Sequence, residues 1–466
     1  MNELAVTTTG GETILAKERV DQLGARLRGP LLRATDEGYD ECRRIFNAMI
    51  DRRPALIVRC LSADDVLHAV RFARDHEALV AVRGGGHGVA GNAVCDGAIL
   101  IDLSLMKGIR VDPARRIARA EPGLRLAEFD QETQVFGLAA PTGLISNTGI
   151  AGLTLGGGVG WLSGLYGLAC DNLLSVDIVT ADGKLVTAST TENPDLFWGV
   201  RGGSGNFGVV TSFEYRLHPV GPVLAGMIAY PYGKAKAFLQ AALDVSSNGP
   251  DELTMKPVLL TLADGTRAGA ANLCYCGQLA EGQRIIRRLR SLGAPLVDSV
   301  QPMPYVGVQS MLDAGVPLGN RHYWKSSFVR HPGEQALEVM VDFMARTPSP
   351  LTFSYLMRVH GAATRVRPSD TAFAHRANCY DFAIISQWPD AADDERNVAW
   401  TRAFFEAMHP HVEQSVYVNN LGEEGDDRVR AAYGPNYDRL AVLKRRYDPT
   451  NFFRLNHNVR PAPPAT

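Results

Sequence analysis

Cysteine is sparse in this 466-residue chain. The seven residues Cys42, Cys60, Cys95, Cys170, Cys274, Cys276 and Cys379 are scattered, and none forms Cys-x-x-Cys. That pattern argues against a disulfide framework, a zinc site or a redox dithiol. Neither sign of charge dominates, with 48 Lys+Arg against 50 Asp+Glu. Such a chain has no net field to draw in nucleic acid or an anionic membrane, so its partners should be small molecules. The first nine residues, Met1 to Thr9, offer neither a basic region nor an apolar core. They predict no secretory signal and a cytoplasmic protein. No internal repeat is present. One uncharged run, Gly149 to Cys170, is long enough to span a bilayer, but eight of its residues are glycine. A stable helix is not expected there, and the run reads as a buried, glycine-rich ligand loop.

The length suggests two or three domains, and 45% hydrophobic residues suffice for large cores. Ala55 to Cys60 reads as a buried strand and Ala63 to His76 as a helix with Val66, Leu67, Val70 and Ala73 on one face. Leu79 to Arg83 reads as a second strand. This β-α-β unit runs into Arg83-Gly84-Gly85-Gly86-His87-Gly88. Three bare glycines can turn backbone N–H groups onto an anion, and Arg83 adds a positive charge. His87 would project beside whatever the glycines cradle. The alternative is a glycine-rich turn with a solvated histidine.

Two Gly-x-Gly-x-x-Gly matches, at Gly86-Gly88-Gly91 and Gly203-Gly205-Gly208, invite a dinucleotide fold. That fold needs a helix to start at the glycines. Val209 to Leu217 reads as strand, and nothing helical follows Gly91, so both are rejected. Ser175 to Ala188 reads as a hairpin turned at Asp182-Gly183. From about Val223 the character changes. Amphipathic helices (Glu281 to Leu292, Glu334 to Arg346, Asp394 to Met408) alternate with strand-like runs (Leu351 to Val359, Cys379 to Trp388). That alternation suits an antiparallel sheet backed by helices. A final helical stretch opens at Gly425-Asp426-Asp427.

The glycine turn, Asp96 to Ser104, and a closing segment that includes Tyr433-Gly434, Asn436-Tyr437, Lys444-x-x-Tyr447-Asp448-Pro449 and Asn456-x-Asn458 together resemble a known family. It is the berberine-bridge-enzyme-like branch of the vanillyl-alcohol oxidase / p-cresol methylhydroxylase superfamily. The resemblance runs from about Tyr39 to Arg460. It implies a two-domain α+β flavoprotein fold: an FAD domain built from residues 1–222 and the returning residues 411–466, with an inserted antiparallel-sheet substrate domain at 223–410. It implies FAD held between the loop Arg83, Gly84, Gly85, Gly86, His87, Gly88 and a second loop from Pro141 to Gly160 that includes Gly143, Thr148, Gly149, Gly152 and Gly157. Asn206, Phe207, Gly208, Asn456 and Asn458 complete that set. It implies a covalent bond from His87 to the flavin 8α carbon. Some relatives add a cysteinyl bond two residues after the position of Gly143, but Ile145 stands there and cannot form it.

The activity implied is hydride transfer from an alcohol, a sugar or secondary-metabolite hydroxyl, to flavin, which oxygen then re-oxidises. The alternatives are an amine oxidase of the 6-hydroxynicotine type, a dehydrogenase with another acceptor, and a flavoprotein that sequesters a small molecule. The protein is expected to be a monomer or homodimer. Thr148 occupies the place where relatives admit or block oxygen, and it is smaller than the residues expected of a blocked site. Tyr166 matches a tyrosine that borders the substrate pocket in relatives, the alternative being a core aromatic; Tyr166 and Tyr417 are the further catalytic candidates, whereas Asn420 replaces an aromatic residue common in relatives. Asp381 lies on a strand whose odd-numbered residues share a face. If that face covers the flavin, its carboxylate is the expected base, Ala383 leaves room for substrate, and burial raises its pKa. The alternative pairs Asp381 with Arg376.

Overall fold

A computed structural model describes residues 3–464. Strand Leu56–Arg59, helix Ala63–Asp75 and strand Val80–Arg83 form the expected β-α-β unit. Ser62 caps the helix, accepting from the Asp65 amide. The two strands are not neighbours, because Ile99–Asp102 inserts between them and pairs in parallel with both. Strands covered on both faces must be apolar throughout, and Leu56, Ile57, Val58, Ile99, Leu100 and Ile101 are all fully buried. The glycine turn therefore leaves the sheet at the carboxyl end of its strands, where open α/β sheets hold ligands.

A second sheet, wholly antiparallel, has the order Leu185–Ser189, Leu173–Val179, Val209–Arg216, Ile117–Ala120, Ile109–Asp112. Its first pair is the predicted hairpin. Val209–Arg216 follows Gly208 as a strand and no helix follows Gly91, so neither glycine motif opens a dinucleotide fold. Between these sheets runs Gly149 to Cys170. It is not free of helix: Ile150–Leu155 and Ser163–Tyr166 are helical, separated by glycine turns. Among the described residues no helix is long and apolar enough to cross a membrane.

Residues 223–388 supply an eight-stranded antiparallel sheet. Its central order is Val223–Pro231, Arg267–Tyr275, Leu253–Thr261, Phe353–Val359, Cys379–Trp388, Arg321–Val329. Side chains alternate between two environments, as the pleat requires. Tyr380, Phe382 and Ile384 pack with Leu337, Met340 and Phe404 of the backing helices Glu334–Met344 and Asp394–Met408. Cys379, Ala383 and Ile385 face the other way, towards Val159, Leu168, Phe373 and Tyr417. The sheet thus presents one face to the glycine-rich half of the molecule. On the strand Arg267–Tyr275 and just past it, the free thiols of Cys274 and Cys276 come within 3.6 Å, a proximity that a search for Cys-x-x-Cys misses.

The closing segment returns to the first half through a buried cation. Lys444, on helix Tyr437–Tyr447, donates to Asp448 Oδ2 at 2.6 Å and to the carbonyls of Asn206 and Phe453 at 2.7 and 2.8 Å. Asp448 in turn accepts from the Phe452 and Phe453 amides. Every polar atom of this latch is matched, which is the condition for burying such a pair at tolerable cost.

Candidate active site

A cavity of about 340 Å³ lies between the two glycine loops and the exposed face of the eight-stranded sheet. Gly84 to Gly88, Gly143, Thr148, Gly149, Gly152, Gly208 and Asn456 line one side, and Asp381, Tyr417 and Asn420 the other. Residues scattered over more than 370 positions of sequence thus share one space. The loops meet at Gly85 and Gly149, where a Cβ on either would stand 2.5 Å from the other's Cα, so both must be glycine. Gly88 and Gly152 also line the cavity, and a Cβ on either would meet nothing within 4 Å, so their bareness is space left for a ligand.

A dinucleotide fits this cradle. The amides of Gly85, Gly86, His87 and Gly88 have no protein acceptor among the described residues, which suits a nest for diphosphate oxygens. The Asn456 amide donates to the Gly205 and Phe453 carbonyls while its buried Oδ1 has no partner, ready to accept from a ligand. The His87 ring stacks on Phe46 at 3.9 Å, and its Nε2 lies 3.0 Å from Asn147 Oδ1. Burial, the dominant effect, lowers its pKa to about 4, so the imidazole is neutral. With Asn147 oriented to accept, the Nε2 atom carries the proton and Nδ1 keeps its lone pair. Ile145 lines the cavity, and no cysteine does.

Six expected site residues stand elsewhere, and one of them, Phe207, is buried in the hydrophobic core with Phe197, Leu440 and Leu443. Arg83 offers no charge to an anion. Its Nε donates to Asp102 Oδ1 at 3.0 Å, its Nη2 to Oδ2 at 2.6 Å, and its Nη1 to the Cys42 and Arg44 carbonyls. The cause is the ladder itself, which sets Arg83 and Asp102 opposite each other on adjacent strands. Asn206 is a backbone clamp: its amide donates to the Gly203 and His457 carbonyls, and its Oδ1 accepts from the Val459 amide. Gly157 lies behind the cavity, with a φ of 121° and Phe373 2.8 Å from its would-be Cβ. Asn458 is not part of the lining. Tyr166 stacks on His218 at 4.0 Å and donates to the Pro219 carbonyl, facing away from the cavity.

Tyr417 does line the cavity, but the amides of Gly158 and Val159 and the Asn419 side chain all donate to its oxygen. No lone pair remains to take a proton, and burial raises its pKa to about 12. It pins the second glycine loop. Asp381 is different. It is 3% exposed, and its carboxylate accepts from Ser326 Oγ (2.9 Å), Tyr355 Oη (3.1 Å) and Asn420 Nδ2 (2.9 Å). Burial raises its pKa to about 6, partly offset by those donors and the Lys256 charge. Arg376 does not pair with it, being held by Asp171 through two contacts of 2.7 Å. Ala383 also departs from expectation: it is fully buried, paired across the strands with Tyr355, and outside the lining.

Sequence reading missed Ser326, Tyr355 and Lys256. Each lies on its own strand, and only the register brings them together: Ser326 and Tyr355 both sit opposite Ala383, one pleat from Asp381. Asn420 was legible only as a departure, and its position supplies the reason for it, since it is a donor to the carboxylate.

A family model described as "FAD binding domain" matches residues 54–189, and one described as "Berberine and berberine like" matches residues 416–460. The chain is 34% identical to (R)-6-hydroxynicotine oxidase of Paenarthrobacter nicotinovorans, covering 93% of this chain and 97% of that protein. It is 28% identical to xylooligosaccharide oxidase of Thermothelomyces thermophilus, over 90% and 89% of the two chains. The crystal structure of 6-hydroxy-D-nicotine oxidase from Arthrobacter nicotinovorans superposes with a TM-score of 0.87 at 33% identity, covering 94% and 98%. With both family models in place and this likeness running nearly end to end, the chain belongs to the berberine-bridge-enzyme-like FAD-linked oxidoreductases of the vanillyl-alcohol oxidase / p-cresol methylhydroxylase superfamily.

Proposed function

We propose that this flavoenzyme is an oxidase of small secondary-metabolite alcohols, with Asp381 as the base that takes the hydroxyl proton and oxygen as the final acceptor, giving hydrogen peroxide. Bound FAD supplies a two-electron acceptor for the hydrogen leaving carbon. One observation carries the reading: a carboxylate in the cavity wall with a pKa near 6, held by three donors that fix its direction. A base works best when its pKa lies near working pH, and one so positioned contributes about 10²- to 10⁴-fold. Apart from Lys256, Tyr355 and Asn419, the remaining wall on this side is mostly Trp324, Phe353, Met357, Ile385, Val316 and Leu144. So apolar a surface favours a compact alcohol over a sugar, whose many hydroxyls would lose their hydrogen bonds.

In this proposal residues 223–410 form the substrate-covering unit and residues 411–466 close the FAD unit. His87 carries the flavin covalently, supported by its neutral ring beside the cradle. Acid-precipitated protein is then yellow and heavier by one FAD, and His87→Ala releases the cofactor on denaturation. Thr148, which lines the cavity beside the Gly85–Gly149 contact, is the residue to which this proposal gives oxygen access.

A second reading, oxidation of an amine, is favoured by the 34% identity to a hydroxynicotine oxidase. An anaerobic screen of alcohols, sugars and amines that follows the flavin absorbance bands separates the two. Bleaching by apolar alcohols supports the proposal, bleaching by amines alone supports the second reading, and no bleaching by any class leaves a sequestering protein.

A further inference from the structure

Four cationic side chains are buried among the described residues: Arg83, Lys256, Arg376 and Lys444. Three are closed in ion pairs, with Asp102, Asp171 and Asp448 respectively. Lys256 is the exception. It is 4% exposed, lines the cavity, and its ammonium has neither ion pair nor hydrogen bond within the described residues. It reaches the cavity from strand Leu253–Thr261, on the same face as Val258. Two aromatic faces hold it, the Tyr355 ring at 4.2 Å and the Phe353 ring at 5.0 Å from Nζ. A ring quadrupole steadies a cation but offers no lone pair to its three N–H donors.

The side chain is buried and its ammonium faces the cavity with no protein acceptor among the described residues, so its three donors are left for whatever occupies that cavity. The Tyr355 ring lies under Lys256 while its hydroxyl binds Asp381, so the cation and the carboxylate flank one tyrosine. A molecule lying along that tyrosine meets both.

We propose that Lys256 is a specificity-determining residue that binds an anionic oxygen, a carboxylate or phenolate, at the end of the substrate remote from the bond being oxidised. The inference rests on the reading of this cavity as the substrate site, and it narrows the substrate to a compact, largely apolar alcohol bearing one such anion. Burial, opposed by the Asp381 charge, lowers Lys256 to about 8, so the ammonium is largely protonated at neutral pH.

The test uses the FAD-loaded protein and two isosteric probes, benzoate and neutral benzamide, titrated by calorimetry at pH 7. The wild type should prefer benzoate at least tenfold. Lys256→Met should abolish that preference while holding benzamide within about twofold, and Lys256→Arg should keep it. If the wild type shows no preference, or binds neither probe, or if Lys256→Met retains the preference, the proposal fails. Equal loss of both probes in Lys256→Met, with a shifted flavin spectrum, also overturns it, because the ammonium would then serve the cofactor.

A wild-type measurement covers the case in which Lys256→Met does not fold. Benzoate affinity should fall as pH rises through about 8 while benzamide affinity stays level. The other titratable groups lining the cavity hold their charge in that window: Asp381 is already ionised above about 6, His87 and His457 near 4 are neutral, and Tyr355 and Tyr417 are raised and neutral. Benzoate preference without alcohol oxidation would keep the Lys256 site and remove the proposed reaction. Alcohol oxidation without benzoate preference would do the reverse.

Discussion

The two walls of the cavity handle charge in opposite ways. The glycine wall presents backbone, and the buried charges that support it or the returning tail, Arg83 with Asp102 and Lys444 with Asp448, are neutralised in pairs facing away from the ligand. The sheet wall presents side chains and leaves two buried charges, Asp381 and Lys256, open to the cavity. Paired burial is scaffolding: it holds a loop or a tail in place and has nothing left to give. Unpaired burial against a cavity leaves a charge free to act on a ligand and marks where chemistry is done.

The largest effect should come from the sheet wall. Asp381→Asn keeps the shape, and Ser326 can rotate to accept from the new amide, but the proton acceptor is gone. The rate constant for anaerobic flavin reduction should fall about 10²- to 10⁴-fold in stopped flow. In the wild type that rate should rise with pH through about 6, as Asp381 ionises. The stability linkage has a definite sign. The folded pKa lies above the unfolded value near 3.8, so the folded state favours the proton; that contribution is full below about 3.8 and is lost as pH rises through about 6. Asp381→Asn should therefore unfold at a higher temperature than wild type at pH 7. A variant with undiminished reduction would erase the contrast between the walls.

Scaffold pairs should fail differently. Lys444→Met leaves Asp448 buried without its cation, and denaturant unfolding should show a loss of about 3–5 kcal/mol. Reduction kinetics of whatever protein remains folded should be close to wild type. A large kinetic defect with little loss of stability would move Lys444 from scaffold to chemistry.

A smaller effect is expected where the glycine wall meets the ligand. Gly152→Val places a branched side chain in open cavity space on a short helix. In a His87→Ala background, where FAD is exchangeable, affinity for FAD should drop at least tenfold, or about 1.4 kcal/mol. The unfolding temperature of the FAD-free protein should barely move. Unchanged FAD affinity would mean that this part of the cavity is not the cradle. The smallest change should follow Thr148→Leu, with several-fold slower re-oxidation of the reduced enzyme on mixing with aerated buffer. An unaltered rate removes Thr148 from oxygen access.

The glycine wall was legible because its features are local. A strand running into Gly84-Gly85-Gly86-His87-Gly88 and a charge-free stretch rich in glycine reveal bare backbone without knowledge of any partner, and the alternation from Asp381 to Ile385 assigns a face directly. Partnership was not legible. Arg83 at the end of an apolar strand looks the same whether it meets a phosphate or Asp102, and the parallel register settles it. Tyr166 looks the same whether it borders substrate or stacks on His218. The donors to Asp381 come from Ser326, Tyr355 and Asn420, and Lys256 comes from a fourth segment. Side-chain type and spacing along the chain specify backbone conformation and which face is apolar, because those depend on near neighbours. Which charge is neutralised and which is left facing a cavity depends on strand order and register across more than a hundred residues, and that exists only once the sheet has closed.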